Sequence, residues 1–391
     1  MPKYPAINPK LENIPGAIFE KYRHLMNKQG EKLVRLHIGD TYLVPGYSLP
    51  IDQQFLDSYP GYNRYCNTFG VEALRSLLAE KVHADNSLPV TDDNILVTSG
   101  ATNALSAAMQ TILTGQDSIL VLTPCWPILP GIIRLAESEI IEVPLYMNLY
   151  QDDDFSVQAH LQKYIKSNTC ALYLNSPNNP SGKVLNRAQL REIAEFVREN
   201  NLWLITDEAY EGLSFDGRKH TCIAGIEGIF DQTISVFTFS KIFMFAGLRL
   251  GYAVAHPDVI RDLNKTMVHQ VYSPPTINQL IMIDPVRTRH QWMPEVCDRY
   301  QYLRDIFKHR LQIPYNNPEA TYFIFFDVSE FLNKISYEDL ILRIFNAGVS
   351  VAPGADFGRD FQNYIRICFT GENPDRLNQA INRLNTIFST L

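Results

Sequence analysis

At 391 residues, 46% hydrophobic and 20% charged, the chain has the composition of an ordinary folded globular protein. Its net charge of −7 and pI near 5.7 argue against a nucleic-acid surface, and no run of Lys and Arg resembles a phosphate-tracking patch. No apolar run reaches the roughly 18 residues a membrane span needs, and the opening MPKYPAINPKLEN lacks a signal peptide's apolar core, so a cytoplasmic protein with no membrane contact is expected.

Length alone suggests about two or three domains. A chain of this size buries a core without disulfide or metal staples. The six cysteines (Cys66, Cys125, Cys170, Cys222, Cys297 and Cys368) are scattered, with no C-x-x-C pair and no clustered histidines. They read as reduced buried thiols, and no metal site is expected.

Residues 1–44 are expected to join a small domain built mainly from the other end of the chain. From about 45 to 285, short apolar runs alternate with turns and helical patterns: Ile95–Thr98, Ile119–Leu122, Ile140–Val143, Ala171–Leu174, Leu202–Thr206, Ile234–Phe237 and Tyr252–Ala255. Between them, Arg187–Arg198 places Leu190, Ile193, Ala194 and Val197 on one helical face. Buried strands alternating with helices imply one large α/β domain with a seven-stranded, mostly parallel sheet covered on both faces. Residues 286–391 read as a smaller α+β domain, with strands in 320–328, 348–352 and 364–369. Asn373-Pro374 opens a last helix whose apolar face holds Leu377, Ile381 and Leu384.

Ligands of such sheets gather at the carboxyl ends of the strands, and each polar cluster of this sequence falls there. Thr98-Ser99-Gly100-Ala101-Thr102 follows a strand and opens a helix, where free N–H groups suit an anion, although small residues there also serve packing. Asn175-Ser176-Pro177-Asn178-Asn179-Pro180-Ser181-Gly182 makes a rigid polar turn. Asp207 ends an apolar strand, where it needs either a cationic or N–H partner or a capping role. Lys241 stands among apolar and aromatic residues in TFSKIFMFAGLRLGY. It is either a snorkelling surface lysine or a buried amine, and burial with Arg249 nearby would lower its pKa toward a nucleophile for an aldehyde. Thr238, Ser240 and Arg249 offer hydroxyls and a planar fork for phosphate.

The ordered set SGATNA, NNPSG, TDEAY, SKIFMFAGLRLGY and YIRICFTG resembles the class I/II aminotransferases, fold-type I enzymes dependent on pyridoxal 5′-phosphate (PLP). The resemblance runs from Ile38-Gly39-Asp40 to Arg366. It implies that Lys241 carries the cofactor as a Schiff base and moves the substrate proton. It further implies that Asp207 pairs with the ring nitrogen, and that Asn179 and Tyr210 bond the ring's phenolic oxygen. Gly100, Ala101, Thr102, Thr238, Ser240 and Arg249 would form the phosphate cup, with Trp126 stacked on the ring. Tyr65 would reach the phosphate of a neighbouring subunit, implying a homodimer with shared active sites. Arg366 would grip the substrate carboxylate, with Gly39 contributing backbone beside it.

The segment Gly39-Asp40-Thr41-Tyr42-Leu43 departs from the family's usual G-x-P-D-F at the substrate entrance. The reaction expected is amino transfer between an L-amino acid and a 2-oxoacid. The alternative is a lyase or cyclase that dehydrates a hydroxylated, arginine-derived amino acid, with Asp40, Glu12 and Glu20 facing its basic side chain. A PLP-sensing transcriptional regulator is disfavoured, because the chain shows no basic recognition helix.

Overall fold

The computed structural model describes residues 8, 11, 14, 20–49, 51–152 and 155–391. Glu12 lies outside the described residues, as does the side chain of Glu20.

Each of the seven apolar runs forms a strand. After a short β1 (Val34–Arg35) come β2 (Ile95–Thr98), β3 (Ser118–Thr123), β4 (Glu139–Pro144), β5 (Thr169–Asn175), β6 (Trp203–Asp207), β7 (Thr233–Thr238) and β8 (Gly251–Val254). The last seven make one sheet in the order β2-β8-β7-β6-β5-β3-β4. All neighbours are parallel except β8, which runs antiparallel to both β2 and β7.

The pleat sends alternate residues into two separate cores. Leu120, Leu122, Leu172 and Leu204 pack with Ile193 and Val197 of the helix Arg187–Glu199. Ile119, Val121, Tyr173 and Ile205 pack on the other face with Leu105 and Met109 of the helix Ala101–Ile112. A sheet buried on both faces explains why its strands read as unbroken apolar runs. The helix Arg187–Glu199 starts where Asn186 and Gln189 form a reciprocal capping box.

Residues from the far end of the chain form a second, antiparallel sheet. Its strands are β9 (Phe323–Asp327), β11 (Ala352–Pro353) and β12 (Tyr364–Cys368), in the order β11-β12-β9. The 348–352 segment is divided, because β10 (Val349–Ser350) pairs instead with β1, in parallel. The last helix, Pro374–Ser389, starts on an Asn373 side-chain cap and buries Leu377, Ile381 and Leu384.

Register sets the functional edge. Asn175 at the end of β5 lies beside Asp207 at the end of β6, and Gly251 opens β8 between Thr238 and Thr98. A Cβ on Gly251 would lie 2.6 Å from the Phe237 carbonyl oxygen and 2.9 Å from the Ala101 nitrogen. Only glycine lets β7 and the start of the helix Ala101–Ile112 approach so closely.

Candidate active site

A cavity of about 320 Å³ opens at this edge. Lys241 follows β7 and projects into it, and its Nζ donates to the Gly39 carbonyl at 2.7 Å. The Tyr322 hydroxyl donates to the Lys241 carbonyl at 2.8 Å, and the rings of Tyr322 and Tyr210 lie 5.6 and 5.7 Å from Nζ. Burial lowers the lysine's pKa, and the Arg366 charge acts the same way, while Cys368, Asp40 and Asp207 oppose them.

Asp207 is 6% exposed. One carboxylate oxygen accepts from the Ala209 N–H and the other from the Tyr173 hydroxyl, each at 3.0 Å. Burial nevertheless lifts its pKa to about 6. A carboxylate held in this way favours a cationic N–H partner. Asn175 braces the site by donating to the Asp207 carbonyl and accepting from the Asn179 N–H, both at 2.7 Å.

Arg366 reaches the cavity from β12. Its Nη1 donates to Asn179 Oδ1 at 3.0 Å and its Nη2 to the His37 carbonyl at 2.6 Å. Its guanidinium lies 4.2 Å from the Phe323 ring centroid, and its buried Nε has no hydrogen-bond partner among the described residues. Burial lowers its pKa to about 10, so it stays charged at neutral pH. His37 is pushed down to about 4 by burial, then by Arg366 and Arg35, and is neutral.

At the start of the helix Ala101–Ile112, Gly100 adopts φ +81, and a Cβ there would stand 3.0 Å from Arg249 Nη2. Thr238 Oγ1 donates to Ser240 Oγ at 3.0 Å beside them. These donors fit a phosphate monoester: a helix start, two hydroxyls and a guanidinium. With the Lys241 amine for an aldehyde, the Asp207 carboxylate for a pyridinium and Arg366 for a carboxylate, the residues fit PLP together with an amino acid.

Of the residues expected from sequence, Gly39, Ala101, Thr102, Trp126, Asn179, Asp207, Tyr210, Thr238, Ser240, Lys241, Arg249 and Arg366 line the cavity. Gly100 stands behind Arg249. Asp40 is exposed and does not line it; its Oδ1 accepts from the Thr41 N–H. Tyr65 is 82% exposed, and its ring meets Tyr272 edge-on at 4.9 Å, outside its own chain's cavity. One expectation needs correcting. The cation that lowers the Lys241 pKa beside burial is Arg366 rather than Arg249, whose guanidinium bonds the Ala246 carbonyl. Sequence reasoning missed His37, Ile38, Ile128 and Phe323 in the lining, and Tyr173 behind Asp207. Their only signal was adjacency: Ile38 precedes Gly39, and Ile128 follows Trp126 by two.

Fold and cavity together define a fold-type I PLP-dependent enzyme. The model of the family described as aminotransferase class I and II matches residues 50–384. An aspartate aminotransferase of Pyrococcus abyssi is 30% identical over 334 residues, 84% of each chain. An aromatic-amino-acid aminotransferase of Thermococcus litoralis is 28% identical over 98% of each. Among solved structures, an aromatic aminotransferase from Pyrococcus horikoshii superposes with a TM-score of 0.83 at 28% identity, covering 93% of this chain and 98% of that one. The chain belongs to the class I and II aminotransferase family and is a PLP-dependent aminotransferase. These relatives lend no support to the cyclising alternative.

Proposed function

We propose that the protein moves the amino group of an L-amino acid to a 2-oxoacid with Lys241 as the cofactor-bearing lysine and proton carrier. The observation that carries this reading is one cavity lined by the Lys241 amine, the Asp207 carboxylate and the Arg366 guanidinium. When bound, PLP supplies an electron sink that makes the substrate Cα–H acidic. The protein does the rest. Arg366 fixes the substrate carboxylate through Nε and Nη2, aided by Asn179, which orients its fork. Asp207 holds a proton on the ring nitrogen, and Tyr173 and the Ala209 N–H keep that carboxylate aimed. Tyr210, Asn179 and Trp126, which line the cavity, would hold the cofactor's ring. Lys241, its amine pKa lowered by burial, would take the substrate's Cα proton. Gly100 to Thr102, Thr238, Ser240 and Arg249 anchor the phosphate.

The protein acts as a cytoplasmic homodimer, with Tyr65 presented to the partner's phosphate. The described residues of 1–44 and residues 286–391 belong to the small domain and those of 45–285 to the large one, a division supported by the pairing of β1 with β10. Purified protein with PLP is mixed with an amino-acid panel, with and without 2-oxoacids, and the products are read by mass spectrometry. An oxoacid product with amino transfer to the acceptor is expected. Loss of water with the amino group retained would overturn the reading.

A further inference from the structure

We infer that Tyr173, which lies outside the cavity lining, is a positioning residue whose hydroxyl keeps the proton shared by Asp207 and the cofactor's ring nitrogen on the nitrogen. The inference rests on the role proposed above for Asp207.

Strands β5 and β6 run parallel, with Tyr173 beside Ile205 and Asn175 beside Asp207. The pleat therefore turns Tyr173 and Asp207 to the same face of the sheet, one step apart along the strands. Around Tyr173 that face is apolar, with Leu105, Ile119, Val121 and Ile205 in the same core. A phenylalanine would suit such surroundings, and a hydroxyl buried there is costly unless it is bonded. Among the described residues this hydroxyl bonds only Asp207 Oδ2, at 3.0 Å. Tyr173 is 0% exposed in the single chain, so no partner subunit reaches it.

Each Asp207 oxygen has one donor. The Ala209 N–H on Oδ1 is backbone and comes with the turn, so Tyr173 is the side chain that bonds the carboxylate. Its hydroxyl favours the charged form and partly offsets burial. Glu208 opposes ionisation of Asp207 and Lys241 favours it, while Tyr146, Cys125 and Tyr210 nearby are held neutral by burial. Burial and then the Asp207 charge keep the Tyr173 pKa well above the ordinary 10, so the hydroxyl remains a donor. A carboxylate stabilised in this way leaves the shared proton on its partner. Without the hydroxyl the proton shifts toward Asp207, and the ring loses the charge that makes it an electron sink.

Tyr173→Phe keeps the ring and removes the donor. In the cofactor-free protein, infrared titration follows the carbonyl band of protonated Asp207, identified by its loss in Asp207→Asn. The variant should bind that proton roughly tenfold more tightly than the parent. In the PLP-loaded protein, magnetic resonance of an isotopically labelled ring nitrogen should show a protonated ring in the parent and a shift toward neutral pyridine in Tyr173→Phe. A ring-fluorinated tyrosine at position 173, a stronger donor of similar shape, should move the Asp207 titration the opposite way. Amino transfer by Tyr173→Phe should lose about tenfold in kcat with little change in KM. If the ring signal responds to Asp207→Asn but neither it nor the titration responds to Tyr173→Phe, Tyr173 merely packs and the inference fails while the role of Asp207 stands. If the ring signal ignores Asp207→Asn as well, the pairing of Asp207 with the ring nitrogen fails, and the inference with it.

Discussion

The Nζ of Lys241 donates a 2.7 Å hydrogen bond to the carbonyl of Gly39, joining positions 202 residues apart. The bond holds the amine inside the cavity, where burial keeps its pKa below the ordinary lysine value. Lys241 is the proposed point of covalent attachment. Borohydride treatment of the PLP-loaded protein should add the mass of one reduced cofactor, and Lys241→Ala should add none. Amino transfer by that variant should fall by at least about a thousandfold, since one group carries both attachment and proton transfer. Labelling of another lysine would refute the assignment.

Asp207 supplies a pH signature in the cofactor-free protein. Its folded pKa of about 6 lies above the ordinary 3.8, so the folded chain binds the proton more tightly than the unfolded chain. The resulting stability is fully present below pH 3.8 and is lost as pH rises through about 6, an effect on the order of 3 kcal/mol. Without PLP, Asp207→Asn should therefore melt higher than the parent above pH 6, with the gap closing toward pH 4. With PLP bound the order should reverse, because the variant has lost the proposed partner of the ring nitrogen. Melting curves of both forms across this range decide it, and an unchanged gap would contradict the buried carboxylate.

Arg366 presents a fork that Asn179 and the His37 carbonyl orient. Lysine keeps the charge but loses the two-point geometry. Arg366→Lys should cost about 2 kcal/mol, or roughly thirtyfold in KM, for amino acid and oxoacid alike. Amine donors that lack a carboxylate should be spared. Equal losses for both kinds of donor would mean that Arg366 does not hold the carboxylate.

In a separate cavity, Lys81 is 1% exposed, bonds Glu211 at 2.7 Å and lies 3.8 Å from Asp85. Arg289 also clamps Asp85, at 2.7 and 2.9 Å. Lys81→Met leaves Glu211 buried without its cation, which should cost about 3–5 kcal/mol in denaturant unfolding. Adding Glu211→Leu should recover much of that loss, because the stranded charge is gone. If the double variant is no more stable than the single one, packing rather than charge explains the cost.

The seven strands, the helix Arg187–Glu199 and the Asn373-capped final helix were legible in the sequence because each depends on local pattern: apolar runs, helical spacing and caps. Lys241, Asp207 and Arg366 could be singled out because the motifs around them resemble a known family, and the structure brings the three together in one cavity. The 348–352 run was harder. Its division between β10 and β11 reflects which partner each half finds, β1 or β12, and no local propensity encodes that choice.

The sequence by itself determined the sheet, which follows from short-range apolar pattern, and through the resemblance of its motifs to a known family it pointed to the cofactor and the candidate residues. Which groups act on one another was decided only by tertiary structure. Arg366 rather than Arg249 became the cation acting on Lys241, and the Gly39 carbonyl became the amine's hydrogen-bond partner. Electrostatic and hydrogen-bond energies depend on separations of a few ångströms between segments hundreds of residues apart. The packing of β12 and the 37–39 segment against the strand ends sets those separations.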